Sequence, residues 1–421
     1  MSKYREICRC RICDNPDLVP IIHLGTQYLT GVFPKSQGDV ITSGPLEMVK
    51  CHTGKNGNSC GLVQLRHSYD SKEMYGYNYG YRSGLNPAMV NHLRKMVQKI
   101  LERITLLPGD LVIDIGSNDS TLLQAYPDRG IHLLGIDPTG EKFRPFYPDD
   151  IQLIPDFFSS TIVKAAFGSM KAKIVTSIAM LYDLENPLGF MQEIYDILND
   201  NGIWVFEQSY LPTMLEMNAY DTICHEHIEY YQLQQIKWLT DRAGFKILDV
   251  ELNQVNGGSF SVTVAKSNST HRENSERVQK LLSNEKRLSL DTLEPYMKFC
   301  RRVYKHRDEL RQLVNRIKVE GKLLIGYGAS TKGNVILQFC QLTARDICCI
   351  AEVNTDKFGR YTPGTLIPII SEAEARTLKP DYKMILPWHF KGTFLPKERD
   401  YLESGGKLVF PLPSIEIVQQ N

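Results

Sequence analysis

The stretch LVIDIGSND, residues 111–119, decides the fold class of this 421-residue chain. Its apolar half predicts a buried strand, and Gly116 predicts a turn that leads into a helix. Three further apolar stretches alternate with helical patterns, namely HLLGIDPT (132–139), KIVTSIAML (173–181) and GIWVFEQSY (202–210). Strands that alternate with helices in this way predict an α/β fold with a doubly wound, mostly parallel sheet.

Two later regions extend this pattern. GFKILDVELN (244–253) and GSFSVTVAK (258–266) alternate with period two, which predicts an antiparallel hairpin at the sheet edge. KLLIGYGASTKGN (322–334) then predicts a strand, a turn rich in Gly, Ser and Thr, and a helix start. Because more strand-like stretches follow, namely CCIAEVNTDK, KMILPWHF and KLVFPLP, we expect a second Rossmann-like sheet.

The length of the chain predicts two to four domains. We expect a zinc-binding module at residues 1–70 and a cofactor-binding sheet domain at 71–268. A charged helical connector is expected at 269–320, where one apolar stripe recurs at helical spacing. A C-terminal Rossmann-like domain is expected at 321–421.

Charge and composition exclude several functions. The net charge is +1, which argues against broad binding to nucleic acid or membrane. No apolar stretch is long enough to span a bilayer, and the first residues, MSKYREICRCR, do not form a secretory signal. We therefore expect a cytoplasmic protein whose ten cysteines stay reduced.

The N-terminal cysteines have the pattern of a metal site. Two pairs separated by a long loop suit a tetrahedral zinc ribbon, in which the metal replaces a core that is too small. Cys8 and His52 are possible substitute ligands, and four unrelated thiols are the alternative. The predicted zinc ligands are Cys10, Cys13, Cys51 and Cys60.

The turn after the first strand indicates the cofactor. It lacks the G-x-G-x-x-G of dinucleotide folds, and Asp137 follows about 20 residues later at the end of the second strand. A carboxylate there can accept ribose hydroxyls. The pattern looks like the S-adenosylmethionine site of a class I methyltransferase, although Ser120 replaces a usual second glycine. The expected cofactor contacts are Tyr81, Ser83, Asp114, Gly116, Asn118, Asp137, Asp156 and Phe157.

The stretch YDTICHEHIEYY, residues 220–231, is dense in groups that carry chemistry. Its histidines are at i and i+2, so it is not the zinc motif that needs i and i+4. It follows a sheet strand, so we expect it at the carboxyl edge where α/β ligands bind. A histidine there can be a general base, and a hydrogen-bonded structural loop is the alternative.

Together these motifs resemble a known family. Y-x-Y-x-S, DIGSND, EQSYLPTML, DTICHEH, GYGASTKGN and RYTPGTLIPI resemble the sugar C-methyltransferases of deoxysugar biosynthesis over nearly the whole chain. The resemblance implies a zinc module, an S-adenosylmethionine domain and a C-terminal domain that holds a sugar nucleotide. It implies methylation at C3 of an NDP-4-keto-6-deoxyhexose by a monomer, with dTDP and GDP both open as the nucleotide.

The resemblance also implies roles for residues of the central loop. His227 is expected to be the base, with Glu226 orienting the sugar or the imidazole. Tyr79 or Tyr81 is expected near the methyl group or the enolate oxygen. His225 is the second choice for the base, and a structural role is expected for it.

The C-terminal turn is expected to bind the diphosphate. Backbone amides at a helix start attract phosphate, and Lys332 adds positive charge. Lys357 and Tyr361 are expected to help hold the nucleoside or the phosphate. The full set of expected substrate contacts is Glu226, Gly328, Ser330, Lys332, Asn334, Lys357, Tyr361 and His389.

The chain departs from the family pattern at two places, and other functions remain open. Cys224 stands where many members have tyrosine, and Tyr182 and Asp183 stand where many have histidine. Three alternatives are an NAD-dependent epimerase or reductase, an O- or N-methyltransferase on a nucleotide sugar, and a zinc-ribbon protein that binds sugar nucleotides without methyl transfer.

Overall fold

The computed structural model describes residues 4–52, 59–75, 81–127 and 129–420. Its N-terminal part consists mainly of strands. The elements are β1 (Tyr4–Glu6), β2 (Leu18–Tyr28), β3 (Ser43–Cys51), β4 (Val63–Leu65), β5 (His67–Tyr69) and α1 (Ser71–Met74). Strands β2, β3 and β4 pair antiparallel in that order, and β1 pairs with β5.

The central part carries the large sheet. Its elements are α2 (Pro87–Arg103), β6 (Leu111–Ile115), β7 (His132–Ile136), α3 (Gly140–Phe143), β8 (Ile151–Ile154), α4 (Ser160–Phe167), β9 (Ala172–Ile178), α5 (Pro187–Ile197), β10 (Leu198–Ser209), α6 (Leu211–Glu216), β11 (Glu229–Tyr230), α7 (Leu233–Ala243), β12 (Phe245–Asn253) and β13 (Ser259–Lys266). The strand order is β12-β13-β10-β9-β6-β7-β8, and β12 and β13 pair antiparallel. The predicted α/β sheet and its terminal hairpin are therefore confirmed.

The first strand of this sheet and the helix before it show why the sequence folds this way. All five residues of β6 are buried, as its unbroken apolar run predicts for a strand covered on both faces. Helix α2 begins at Pro87 behind the cap Asn86, whose side chain accepts the Ala88 N–H at 3.0 Å. Its apolar stripe packs in one core with Val112 of β6 and Leu133 of β7.

The C-terminal part forms a second sheet. Its elements are α8 (Ser275–Arg287), α9 (Glu294–Val319), β14 (Leu324–Tyr327), α10 (Thr331–Phe339), β15 (Ile350–Glu352), β16 (Ile369–Ser371), α11 (Glu372–Thr377), β17 (Tyr382–Ile385), α12 (Lys391–Lys397), α13 (Arg399–Glu403), β18 (Lys407–Phe410) and β19 (Glu416–Val418). The order is β16-β15-β14-β17-β18-β19. The apolar stripe of α9 packs into the core of this sheet. Strand β19 is an antiparallel edge that the sequence did not indicate.

Strand β11 connects the central part to the N-terminal sheet. Glu229 pairs with Gln64 and Tyr230 with Val63, so β11 is the outer strand next to β4. This pairing begins two residues after His227. The loop that carries the predicted base is therefore anchored outside the large sheet, on the N-terminal sheet.

The four predicted zinc ligands lie together. All four Sγ atoms lie within 4.8 Å of one another, and the distances are 3.5 Å for both Cys10–Cys60 and Cys13–Cys51. A tetrahedral zinc with ~2.3 Å bonds to sulfur holds sulfurs about 3.8 Å apart, so the cluster fits the metal. Cys8 is exposed and is not part of this cluster. Among the described residues, no helix has both the length and the apolar character needed to cross a membrane.

Removing one zinc ligand is expected to destabilise the N-terminal sheet. Cys13→Ser should lower the zinc content from about one per chain to nearly none, and should reduce the free energy of unfolding by more than about 3 kcal/mol. Elemental analysis and thermal unfolding measure both effects. Cys8→Ser is the matched control and should keep the metal. A Cys13→Ser protein with full zinc and unchanged stability would contradict the assignment.

Candidate active site

The three parts of the chain enclose one cavity of about 790 Å3. The N-terminal part contributes Gly31 and Phe33, the central sheet contributes Asp114 and the loop after it, and the C-terminal sheet contributes the turn around Ser330. A cavity of this size is in the range of ligand sites, which often lie where domains meet.

The turn after β6 has the geometry of a cofactor site. Gly116 has φ +75°, a conformation that L side chains rarely adopt. The N–H of Asn118 donates to Oδ2 of Asp137 at 2.8 Å, while Thr139 donates its N–H and hydroxyl to Oδ1 at 2.7 and 2.5 Å. Since a carboxylate oxygen has about two acceptor sites, Oδ2 retains one for a ligand hydroxyl.

The segment that precedes α2 lies over this turn. The N–H of Ser83 donates to Oδ1 of Asn118 at 3.0 Å, and Nδ2 of Asn118 donates to the Tyr81 carbonyl at 3.2 Å. Tyr81 and Ser83, two of the expected cofactor contacts, both line the cavity. Tyr79 lies outside the described residues.

Asp114 and Phe157 also line the cavity. Burial raises the pKa of Asp114 to about 7, against the opposing hydrogen bond from the Thr176 hydroxyl at 2.6 Å. The Phe157 ring is 42% exposed and so is available for stacking. Asp156 is exposed, accepts its neighbour's N–H at 2.7 Å and is outside the cavity wall.

These residues fit S-adenosylmethionine. The open acceptor on Asp137 suits a ribose hydroxyl, the exposed Phe157 ring suits an adenine face, and Gly116 lets a ligand approach the backbone. These residues could be predicted from the sequence because each one follows the end of a strand, where ligands of α/β proteins bind.

His227 lines the cavity in a defined protonation state. Its Nδ1 is 3.0 Å from the Thr222 carbonyl oxygen, which can only accept, so Nδ1 carries the proton. In the neutral ring Nε2 is then the nitrogen with a free electron pair. The Tyr182 ring packs on the imidazole at a centroid distance of 4.3 Å. This tautomer is the one that a general base at Nε2 requires.

Burial and, to a smaller extent, the charge of Lys332 lower the pKa of His227 to about 3. A group with such a pKa stays neutral at physiological pH. His227 can therefore accept a proton without first losing one.

Glu226 points into the cavity from the same loop. Its Oε2 accepts from the Thr30 hydroxyl at 3.3 Å, and a Cβ on Gly31 would lie 2.6 Å from Oε1. Burial raises the pKa of Glu226 above its usual value. The glycine is thus required for the close approach of the N-terminal part to this carboxyl group.

His225 and Cys224 face away from the cavity wall. His225 is fully buried against the Tyr69 ring at 4.6 Å, and burial lowers its pKa to about 3. Cys224 is fully buried in the core shared with the C-terminal sheet. The chain turns at His225 and Glu226, and His227 lines the cavity while His225 packs on Tyr69 outside the cavity wall.

The C-terminal side of the cavity contains most of the predicted substrate contacts. Gly328 has φ +84°, and Oγ of Ser330 caps α10 by accepting the Gly333 N–H at 3.0 Å. Nζ of Lys357 donates to the Ala329 carbonyl at 2.8 Å. The residues of this set that line the cavity are Gly328, Ser330, Lys332, Lys357 and His389.

Two predicted contacts lie outside the wall. Asn334 is buried and donates to the Thr30 carbonyl at 2.7 Å, so it joins α10 to the N-terminal part. The N–H of Tyr361 donates to the Pro34 carbonyl at 2.9 Å, which is a second contact of that kind.

Several carboxylates of the cavity wall were not predicted, and two of them lie near strand ends. Glu207, near the end of β10, contacts His92 Nε2 at 2.7 Å and accepts from Asn253 at 2.7 Å. Glu352 ends β15 and accepts the Ala329 N–H at 2.7 Å. Both residues lie near the carboxyl ends of strands, and this position in the sequence could have predicted them.

Three family models match successive parts of the chain. Residues 10–75 match a candidate zinc binding domain, residues 89–250 a methyltransferase domain, and residues 254–413 a C-methyltransferase C-terminal domain. Among curated proteins, C-methyltransferase NovU of Streptomyces niveus is 29% identical over 417 residues, which cover 98% of this chain and 97% of NovU.

Solved structures overlap a smaller part. A complex of the Haloferax volcanii Trm112 methyltransferase activator with a methyltransferase is 15% identical, with a TM-score of 0.36, and covers 44% of this chain and 94% of that chain. A Burkholderia thailandensis 1,6-didemethyltoxoflavin-N1-methyltransferase is 10% identical, with a TM-score of 0.33, and covers 44% and 81%.

The fold and the matched domains define an S-adenosylmethionine-dependent methyltransferase. The chain combines a zinc-binding domain, a methyltransferase domain and a C-methyltransferase C-terminal domain, and it is similar over nearly its whole length to the C-methyltransferase NovU.

Replacing Asp137 is expected to weaken cofactor binding. Asp137→Ala removes a charge-assisted acceptor, so the affinity for S-adenosylmethionine should fall by about 1.5–3 kcal/mol. Titration calorimetry measures the change, and circular dichroism checks the fold. Asp150→Ala, an exposed carboxylate outside the wall, is the matched control. Equal affinity for wild type and Asp137→Ala would rule the assignment out.

Proposed function

We propose that the enzyme methylates C3, the carbon beside the ketone, of an NDP-4-keto-6-deoxyhexose. The observation that carries the proposal is the neutral His227, whose Nδ1 is held by Thr222 and whose Nε2 is the free base in a cavity shared by both Rossmann-like sheets. A base of this kind is needed to remove a proton from carbon, which is much less acidic than the N–H or O–H groups of other methyl acceptors.

The proton beside a ketone is only weakly acidic, so its removal needs a positioned base. Nε2 of His227 takes the C3 proton, and the C–H electron pair becomes the C3–C4 double bond of an enolate. A base in this position contributes roughly 10²–10⁴ in rate. When bound, S-adenosylmethionine supplies an electrophilic methyl group for the carbon nucleophile.

Glu226 positions the sugar in this proposal. Burial favours its protonated form, and the Thr30 hydroxyl together with the small Gly31 holds the carboxyl group at the cavity wall. A protonated carboxyl group can donate to one sugar oxygen and accept from another hydroxyl. Tyr81 closes the cofactor side of the same cavity.

The diphosphate is assigned to the turn between β14 and α10. The start of a helix presents free N–H groups and a partial positive charge, and Lys357 adds a full charge beside the turn. His389 lines the same side, where burial lowers its pKa to about 3 and keeps it neutral. One chain supplies both the cofactor side and the sugar-nucleotide side of the cavity. We therefore propose that a monomer is catalytically complete.

The two departures from the family pattern have a local explanation. Tyr182 packs its ring directly on His227, so an aromatic side chain supports the base from the strand side. Cys224 is buried outside the wall and does not contact the substrate in this proposal.

Replacing His227 should abolish proton removal without abolishing binding. In deuterated water with an NDP-4-keto-6-deoxyhexose and S-adenosylhomocysteine, the wild-type enzyme should exchange the C3 proton, which mass spectrometry and NMR detect. His227→Gln should lower exchange and methyl transfer by at least ~100-fold, since the base is lost.

The control is His225→Gln in the same loop. If it folds as the wild type does, it should retain most of the exchange, because His225 faces Tyr69. Near-normal turnover of His227→Gln, or loss of exchange only in His225→Gln, would show that the base has been misassigned.

A further inference from the structure

The side chain of Lys332 leaves its own sheet domain. It starts at α10, yet its Nζ donates to the carbonyl of Asn256 at 2.6 Å, in the turn between β12 and β13 of the methyltransferase sheet. Asn256 and Lys332 both line the cavity. A Cβ on Gly257, next to Asn256, would lie 3.3 Å from the Trp388 ring, and Trp388 donates to Asp221 of the central loop. The ammonium group therefore lies on the side of the cavity that faces the central loop.

Lys357 provides the contrast. Its Nζ donates to the carbonyl of Ala329 at 2.8 Å, within the turn assigned to the diphosphate, and lies 4.7 Å from the Phe33 ring centroid. The two lysines therefore make their hydrogen bonds at different parts of one cavity. Lys357 stays at the phosphate-binding turn, and Lys332 reaches away from it.

The ammonium of Lys332 is not neutralised by a close carboxylate. Among the residues that the structure describes, no Asp or Glu oxygen lies within 4.0 Å of it. The nearby Asp221 carboxylate instead accepts from Nε1 of Trp388 at 2.8 Å. With one of three N–H donors on Asn256, two remain for an anionic oxygen in the cavity.

The charge of Lys332 acts on the base. Lys332 shares the cavity lining with His227 and His389, and its charge lowers the pKa of both rings. A positive charge beside a base weakens that base, which by itself slows proton removal. The same charge stabilises the anion that proton removal creates, and this gain grows as the enolate forms.

We propose that Lys332 is a catalytic residue that donates to the C4 oxygen of the substrate and stabilises the enolate. This assignment rests on the proposed function and replaces the diphosphate contact expected from the sequence. As Nε2 of His227 takes the C3 proton, the C–H electron pair forms the π bond between C3 and C4, and the π pair of the carbonyl moves to its oxygen. Lys332 keeps its proton and pairs with that oxygen.

The test compares Lys332→Met with Lys357→Met. With an NDP-4-keto-6-deoxyhexose and S-adenosylhomocysteine in deuterated water, Lys332→Met should exchange the C3 proton about 10²–10³-fold more slowly at saturation, the loss typical of one oxyanion donor. Its KM should change little. Lys357→Met should mainly raise the KM for the sugar nucleotide. Lys332→Arg, which keeps the charge, should recover part of the exchange.

A pH profile separates this role from a structural one. The titratable and charged groups that share the cavity with His227 include Lys332, Glu226, Asp183, Tyr182 and His389. Of these, Lys332 is the group whose positive charge depresses the pKa of His227. In Lys332→Met the acidic limb of kcat/KM should therefore move to higher pH. Lys357→Met should leave that limb in place.

The outcomes are distinct. Exchange at the wild-type rate by saturated Lys332→Met, with a raised KM, would overturn the proposal and return Lys332 to the diphosphate. If Lys332→Met does not fold, as circular dichroism shows, Lys332→Gln takes its place under the same criteria. A wild-type enzyme that binds the sugar nucleotide and neither exchanges nor methylates it would overturn the proposed function itself.

Discussion

The hydrogen bond between Nδ1 of His227 and the Thr222 carbonyl is the interaction on which the catalytic proposal depends. It places the proton on one nitrogen and leaves the other as a base. His227 and Thr222 both lie in the central loop, and each of the three parts of the chain contacts that loop. Strand β11 pairs with the zinc-bearing N-terminal part, Thr30 donates to Glu226, and Trp388 of the C-terminal sheet donates to Asp221.

In the proposed reaction, three parts of the chain contribute to one methyl transfer. Enolate formation requires that the base, the oxyanion donor and the methyl donor act within one small volume with little water. The proposed base comes from the central loop, the proposed oxyanion donor Lys332 comes from the C-terminal sheet, and Gly31 of the N-terminal part forms the cavity wall beside Glu226. A zinc-held N-terminal sheet is a rigid support for that wall, since β11 joins it directly.

Local pattern was enough to predict the sheet, its hairpin and the zinc ligands, because each has a strong local signal. Strand β11 was not predicted, since two residues have no periodicity and its partner is about 165 positions away. Asn334 and Tyr361 were expected to touch substrate because of their motifs, yet they contact the N-terminal part. The direction of Lys332 could not be predicted either, because a long flexible side chain can reach two neighbours.

The position of the transferred methyl group tests the central claim most directly. With S-adenosylmethionine labelled by carbon-13 in its methyl group and a panel of NDP-4-keto-6-deoxyhexoses, NMR of the product identifies the atom that carries the label. The account predicts a carbon–carbon bond to the ring carbon beside the ketone, and loss of the proton from that carbon. A label on oxygen or nitrogen, with the proton retained, would contradict it.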